Sequence, residues 1–227
     1  MSGRIRDRGV VLVDNNEIAI LDDAKYFEHR LIVDDDDKGT KNTNSIRIDL
    51  LIENMGRTNG PVSVMNHAHT GLLWEDDWRL PPSIRLDQKP VQNITVFSLD
   101  FIKRGNDNEK WEPYYPSNNK NNHHHTGPAM YRAVLNITTS SSSHPDDTFI
   151  QLPGWTKGNI FVNGFNLGRY WYVGPQQTLY LPGPLLKMGE NHIDVFELHQ
   201  PGSEIHFADR MIWNQPSNTK FELFELI

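Results

Sequence analysis

The tripeptide His67-Ala68-His69 places two imidazoles two residues apart. On a strand both would point the same way and make half of a zinc site. No third ligand follows at a metal-binding interval. Asp34-Asp35-Asp36-Asp37 gathers four carboxylates, but calcium loops space their ligands around a glycine turn, whereas crowded like charges mark a solvated loop. His123–His125 lie in the Asn-rich run Ser117–His125, which offers no fixed backbone to aim them. Glycoside hydrolysis needs two carboxylates about 5–10 Å apart. With 29 acidic residues such pairs arise by accident, and nothing singles one out. There is no G-x-S-x-G, Ser140–Ser143 reads as a loop tip, and the absence of cysteine removes thiolate and disulfide chemistry. The residues thus nominate no catalytic group, no metal ligand and no cofactor.

Aromatic residues are the denser signal. Trp155, Phe161, Phe165, Tyr170, Trp171, Tyr172 and Tyr180 fall in one stretch, interleaved with Asn163, Asn166 and Arg169. Sugar-binding sandwiches stack pyranose rings on aromatic faces and fix hydroxyls with amides and guanidinium groups. The candidate carbohydrate contacts are therefore Trp155, Asn163, Arg169, Tyr170 and Trp171. The same rings more often fill a sandwich core or an interdomain contact. Periodicity leaves both readings open.

The elements that must position these groups read as strands. Short β-branched and aromatic runs alternate with Gly, Pro, Asn and Asp clusters, at Gly9–Val13, Ile46–Ile52, Val91–Leu99, Tyr131–Ile137, Thr148–Leu152, Asn159–Val162, Thr178–Leu181 and Ile193–Leu198. An internal repeat sharpens the pattern. Val10–Leu21 resembles Asn159–Tyr170, with Val13-Asp14 falling on Val162-Asn163, and Ser45–Gly56 resembles Asn191–Gly202. Asn163-Gly164 is a two-residue hairpin signal, because both residues tolerate positive φ. The expected organisation is a first β unit over 1–103, a polar connector over 104–128, and a second unit over 129–227. Only nine residues precede the first hairpin strand, whereas two extra strand candidates precede the second. If the copies share one fold, the first lacks its opening strands. A partner chain, a longer parent protein or a smaller variant of the fold would each account for that.

Charge and hydropathy limit the partners. A formal charge of −7 disfavours nucleic acid and anionic membrane, both of which reward a basic face. No run of eighteen apolar residues occurs, and Met1–Asn15 lacks a secretory h-region. Two N-glycosylation sequons, Asn93-Ile94-Thr95 and Asn136-Ile137-Thr138, are compatible with a secreted or lysosomal life.

The stretch Asp147–Pro182, with PGW at Pro153–Trp155, VNGFNLGRYW at Val162–Trp171 and GPQQTLYLP at Gly174–Pro182, closely resembles the C-terminal part of animal-type β-galactosidases, family 35 of the glycoside hydrolases. Arg6–Asp14, Ile48–Asn59, His192–His199 and His206–Trp213 are similar to neighbouring segments of that family. The resemblance implies two tandem galactose-binding-like jelly-roll sandwiches in an all-β chain. It also implies that the catalytic glutamates belong to a (β/α)₈ barrel with no counterpart here, so none is assigned. The expected role is a non-catalytic module that stabilises such a barrel, its partner in the same or another chain. A stand-alone carbohydrate-binding sandwich is the alternative. By the same resemblance the compartment is lysosomal or extracellular.

Overall fold

The computed structural model of the chain describes residues 2–3, 8–22, 29–30, 47–55, 85–86, 89–101, 111–114, 127–138 and 145–214. The chain is all-β and divides into two compact units, Met1–Ser98 and Leu99–Ile227. Among the described residues no helix is long and apolar enough to cross a membrane.

The first unit holds β1 (Ser2–Gly3), β2 (Arg8–Val13), β3 (Asn16–Asp22), β4 (His29–Arg30), β5 (Ile48–Glu53), β6 (Arg85–Leu86) and β7 (Lys89–Pro90). They form two antiparallel sheets, ordered β3-β2-β5 and β4-β1-β6-β7. The central strand β2 is buried along nearly its whole length, with Val10, Val11 and Val13 at its heart. Val11 and Leu21 pack with Ile18, Ile48, Leu50 and Ile52. The hairpin between β2 and β3 turns at Asp14 and Asn15, with φ of 47° and 71°, the pair of left-handed residues that matches strand twist.

The expected strand Val91–Leu99 does not form. Beyond β7 the chain leaves the ladder, Asn93 takes φ of 61°, and Val96 and Phe97 are each 80% exposed. β-branched composition makes a strand only where a neighbour accepts its backbone groups. The other expected strands stand within a few residues of their anticipated ends, although Ile46, the first residue of one, lies outside the described residues.

The second unit holds β8 (Ala129–Ile137), β9 (Thr148–Gln151), β10 (Lys157–Val162), β11 (Phe165–Trp171), β12 (Thr178–Leu181), β13 (Gly189–Glu197) and β14 (His206–Ala208). One sheet runs β11-β10-β13-β8 and the other β12-β9-β14, all pairings antiparallel. Period-two alternation puts Ile160, Val162, Ile193 and Val195 of the first sheet on one face. They meet Ile150 and Leu181 of the second in a closed core that Trp155 and Leu186 complete. Part of the first sheet's opposite face is also covered. Phe101 packs against Phe161 and Phe196 with ring centroids 5.3 and 4.7 Å away, and Trp111 stacks under the Arg132 guanidinium. Arg132 in turn makes two short bonds to Asp194, of 2.6 and 2.8 Å.

The repeat read from sequence has a structural counterpart. Val162-Asn163-Gly164-Phe165 closes a hairpin with φ of 49° and 83° at its centre, as Asp14 and Asn15 do in the first unit. Both hairpins carry a register irregularity at the same place, between Ile160 and Phe161 and between Val11 and Leu12. In each, the turn residue clamps the third strand. Asn163 donates its N–H to the His192 carbonyl at 2.9 Å while its Oδ1 accepts the His192 N–H at 3.0 Å. Asp14 does the same with Arg47 at 3.0 and 3.1 Å. A fourth strand, β8, pairs with β13 along nine residues in the second unit. Among the described residues no strand pairs with the corresponding edge of β5.

Candidate functional site: a cleft at the sandwich edge

Two sheets that pack face to face leave a gap where their edge strands diverge. In the second unit that gap lies along β11 and β12 and forms a cleft of about 290 Å³. Its floor is the margin of the core, Ile150, Ile160 and Leu179. Trp155, Tyr170 and Trp171 form an aromatic wall, and Arg169, Tyr172, Gln176 and Gln177 contribute the polar lining.

The loop from Trp171 to Thr178 shapes the mouth and is held from several sides. Gln177 donates its backbone N–H to the Ile212 carbonyl at 2.9 Å, and Asn214 donates to the Pro175 carbonyl at 2.8 Å. Ile212 donates to the Thr178 hydroxyl at 3.0 Å. The segment before Asn214 therefore braces the cleft from outside. Within the loop, the Gln176 amide nitrogen donates to the Thr178 carbonyl at 2.6 Å, and that of Gln177 to the Tyr172 carbonyl at 3.1 Å. Those bonds fix both amides and leave their carbonyl oxygens as acceptors.

Behind the wall sits a buried polar centre. Gly158 on β10 is flanked by Tyr170 on β11 and Glu197 on β13. The Tyr170 hydroxyl crosses over the glycine to donate to Glu197 at 2.8 Å. A Cβ on Gly158 would stand 1.7 Å from the Phe196 carbonyl oxygen and 2.9 Å from the Tyr170 hydroxyl, so glycine is the residue that fits. Fully buried Glu197 also accepts the backbone N–H groups of Thr156, Lys157 and His199 at 2.9, 3.2 and 2.8 Å. Burial first, and then the charge of Glu197 and its hydrogen bond, push the Tyr170 phenol far above its ordinary range. Burial, Tyr114 and Glu197 push Tyr131 up to about 12. Buried Lys157 places its ammonium 4.6 Å from the centre of the Trp171 ring, so one face of that indole is already engaged.

Of the five residues proposed as sugar contacts, the structure brings Trp155, Arg169, Tyr170 and Trp171 to this one cleft. They are not equivalent. Trp155 is buried and its indole N–H donates to the Glu204 carbonyl at 2.9 Å, while Tyr170 directs its hydroxyl to Glu197. Both are wall. Arg169 is exposed and Trp171 half-buried.

Asn163 does not line the cleft. It sits at the hairpin tip, where its amide nitrogen donates to the Leu185 carbonyl at 2.8 Å and to Asn191 at 2.9 Å. Hairpin chemistry, visible in Asn-Gly, already assigned that residue to a turn. Tyr172 was noted in the aromatic stretch but not among the five contacts, and Gln176 and Gln177 were not singled out from sequence. They fall in and beside the GPQQ run at Gly174–Gln177, whose proline and glycine signalled a loop without saying which way it faced.

His67, His69, Asp34–Asp37, His123–His125 and Ser140–Ser143 lie outside the described residues. Among the described residues no group of three or more His, Asp or Glu is placed to hold a metal ion.

Comparison with known proteins agrees with this geometry. The model of the galactose-binding domain of β-galactosidases matches residues 128–191, from β8 into β13. The chain is 36% identical over 216 residues to the human β-galactosidase-1-like protein 2, covering 92% of this chain and 29% of that protein. It is 38% identical over 162 residues to human β-galactosidase, covering 66% of this chain and 22% of that protein. It is 34% identical over 178 residues to β-galactosidase 8 of Oryza sativa subsp. japonica, covering 72% and 26%. The chain thus spans less than a third of the length of these relatives. On these matches, and on the sandwich they overlie, the chain is a β-galactosidase-related module that carries the galactose-binding domain.

Proposed function

We propose that the chain acts as a non-catalytic β-sandwich module of a β-galactosidase-like glycoside hydrolase and stabilises the part of the enzyme that performs hydrolysis. The observation that carries this reading is the cleft's lining, which among the described residues holds no carboxylate. Hydrolysis of a glycoside requires an acid and a nucleophile or base on either side of the scissile bond. The buried acids of this unit are engaged elsewhere: Glu197 with three backbone N–H groups and Tyr170, and Asp194 with Arg132. Asp147, which accepts the Gly183 N–H at 2.8 Å and the Tyr180 hydroxyl, is tied in the same way.

The experiment is turnover of a chromogenic β-galactoside by the purified chain, alone and with the catalytic part of a relative supplied in trans. The chain alone is expected to give no more product than a mock preparation. The added catalytic part is expected to survive heating longer in its presence. Turnover by the chain alone, or an unchanged thermal half-life of its partner, would sink the proposal.

A second reading, a carbohydrate-binding protein in its own right, is favoured by one observation. Arg169, Trp171, Tyr172, Gln176 and Gln177 combine aromatic faces with fixed acceptors and a guanidinium donor around one open cleft. At about 300 Å³ the space lies at the small end of ligand sites and suits a single sugar ring. Hydroxyls would donate to the glutamine oxygens, Arg169 would donate to sugar oxygens, and the C–H face would lie on an aromatic ring. Titration with methyl β-galactoside should detect binding that Arg169→Ala weakens at least tenfold, with the melting temperature unchanged. Saturable binding indifferent to Arg169 and Trp171 would remove the cleft from consideration.

A further inference from the structure

Both N-glycosylation sequons fall on described, exposed residues: Asn93 after β7 and Asn136 near the end of β8. Their neighbours are unusual. Of the large apolar side chains described, Val96 and Phe97 at 80% and Val134 and Tyr172 at 59% are the most exposed. Three of these four lie within four residues of a sequon asparagine. Isolated apolar side chains on a surface need no explanation, but neighbouring ones at such exposure do.

The local geometry suits attachment. Asn93 adopts φ of 61° and the residues from Gln92 through Asp100 are exposed without a sheet ladder, so nothing flanks its amide on a sheet. Asn136 lies on β8, the outermost strand of its sheet, and shares a face with Val134 two residues before it. A strand at a sheet edge presents unpaired backbone groups to other chains, and bulky polar cover is one way to blunt it. The hydroxyl residues that complete the sequons, Thr95 and Thr138, are exposed too.

We infer that Asn93 and Asn136 are N-glycosylated, and that the glycans cover Val96 and Phe97 in the first unit and Val134 and the β8 edge in the second. The donor is an oligosaccharide on a polyprenyl diphosphate. The asparagine amide nitrogen bonds to the anomeric carbon as the bond from that carbon to the diphosphate oxygen breaks. The amide loses one proton, and polyprenyl diphosphate leaves. The inference is independent of whether the cleft binds sugar.

The test uses the chain isolated from the cells that make it natively. Digestion with a peptide-N-glycosidase in heavy-oxygen water should convert both asparagines to labelled aspartate, read by peptide mass. An unlabelled asparagine at either position overturns the inference for that position. Thr95→Ala and Thr138→Ala should each remove one glycan and raise binding of a hydrophobic dye, whereas Thr95→Ser and Thr138→Ser, which keep the sequons, should match the parent. Loss of a glycan with no rise in dye binding overturns the covering role.

Discussion

The two hairpin cores are built on one plan and held by opposite chemistry. In the first, Gly9 on β2 is flanked by Leu21 and Ile52; in the second, Gly158 on β10 is flanked by Tyr170 and Glu197. The first bridge is apolar and asks only for burial. The second is a hydrogen bond whose acceptor also organises three backbone donors around Thr156, Lys157 and His199. A cation precedes the glycine in both. Arg8 approaches Glu53 at 3.7 Å, and Lys157 lies over Trp171. The comparison teaches that a backbone plan tolerates exchange of polar for apolar bridges; where the bridge is polar, Glu197 accepts from each donor gathered around it.

The largest effect expected is that of Gly158→Ala. Its Cβ would overlap the Phe196 carbonyl, which is main chain in the next strand and has nowhere to go. The second unit should lose its cooperative thermal transition in calorimetry. A variant that melts normally would mean that the strands can part there.

Next comes an attempt to write the first unit's apolar bridge into the second. Glu197→Ile should cost about 3–6 kcal/mol, because three backbone donors are stranded at roughly 1–2 kcal/mol each. Tyr170→Phe should cost less, about 1–2 kcal/mol, since the carboxylate keeps its backbone partners. Urea melts of the two single variants and the double variant would measure the coupling. Equal costs for Glu197→Ile and Tyr170→Phe would show that the backbone contacts carry little.

The turn residues offer a smaller contrast. Asn163 both accepts and donates, whereas Asp14 holds the same place as a carboxylate and accepts the Arg47 N–H. Asn163→Asp removes the donations to Leu185 and Asn191 and should cost about 1–2 kcal/mol. The mirror change, Asp14→Asn, keeps the acceptor and should stay within about 0.5 kcal/mol. Chemical denaturation of the two variants checks both values.

Alkaline pH should separate the units most gently. Tyr131 is raised from 10.0 to about 12 and Tyr170 is raised further, so the folded state holds protons that the unfolded chain releases. That stability is fully present below the ordinary phenol value and is lost as pH rises from 10.0 through about 12. No described residue of the first unit is a tyrosine. Urea melts followed by circular dichroism at rising pH should therefore report weakening of the second unit across this interval, and Tyr131→Phe should make the decline shallower. A decline unaltered by Tyr131→Phe would assign it to other groups.

Much of this architecture was legible in the sequence because hairpins are local. Asn163-Gly164 dictates its turn through φ alone, and β-branched and aromatic runs marked β10 and β13 as strands. Val91–Leu99 misled because propensity was read without a partner strand. The cleft was half legible: Trp155, Tyr170, Trp171 and Tyr172 follow from the aromatic density and Arg169 from its place among them, whereas Gln176 and Gln177 carried no such signal. Which rings would form a wall was not, since Trp155 and Tyr170 are tied down by Glu204 and Glu197, 49 and 27 residues further along the chain.

By itself the sequence determined the all-β class, the repeated hairpin and the relation to β-galactosidases, since each depends on neighbouring residues or on order along the chain. The tertiary structure alone decided that Glu197 is a buried acceptor, that Asn163 is a clamp and that an open cleft lies between β11 and β12. Those outcomes depend on which strands pair and where two sheets part, and contacts between residues distant in sequence leave no local pattern from which to read them.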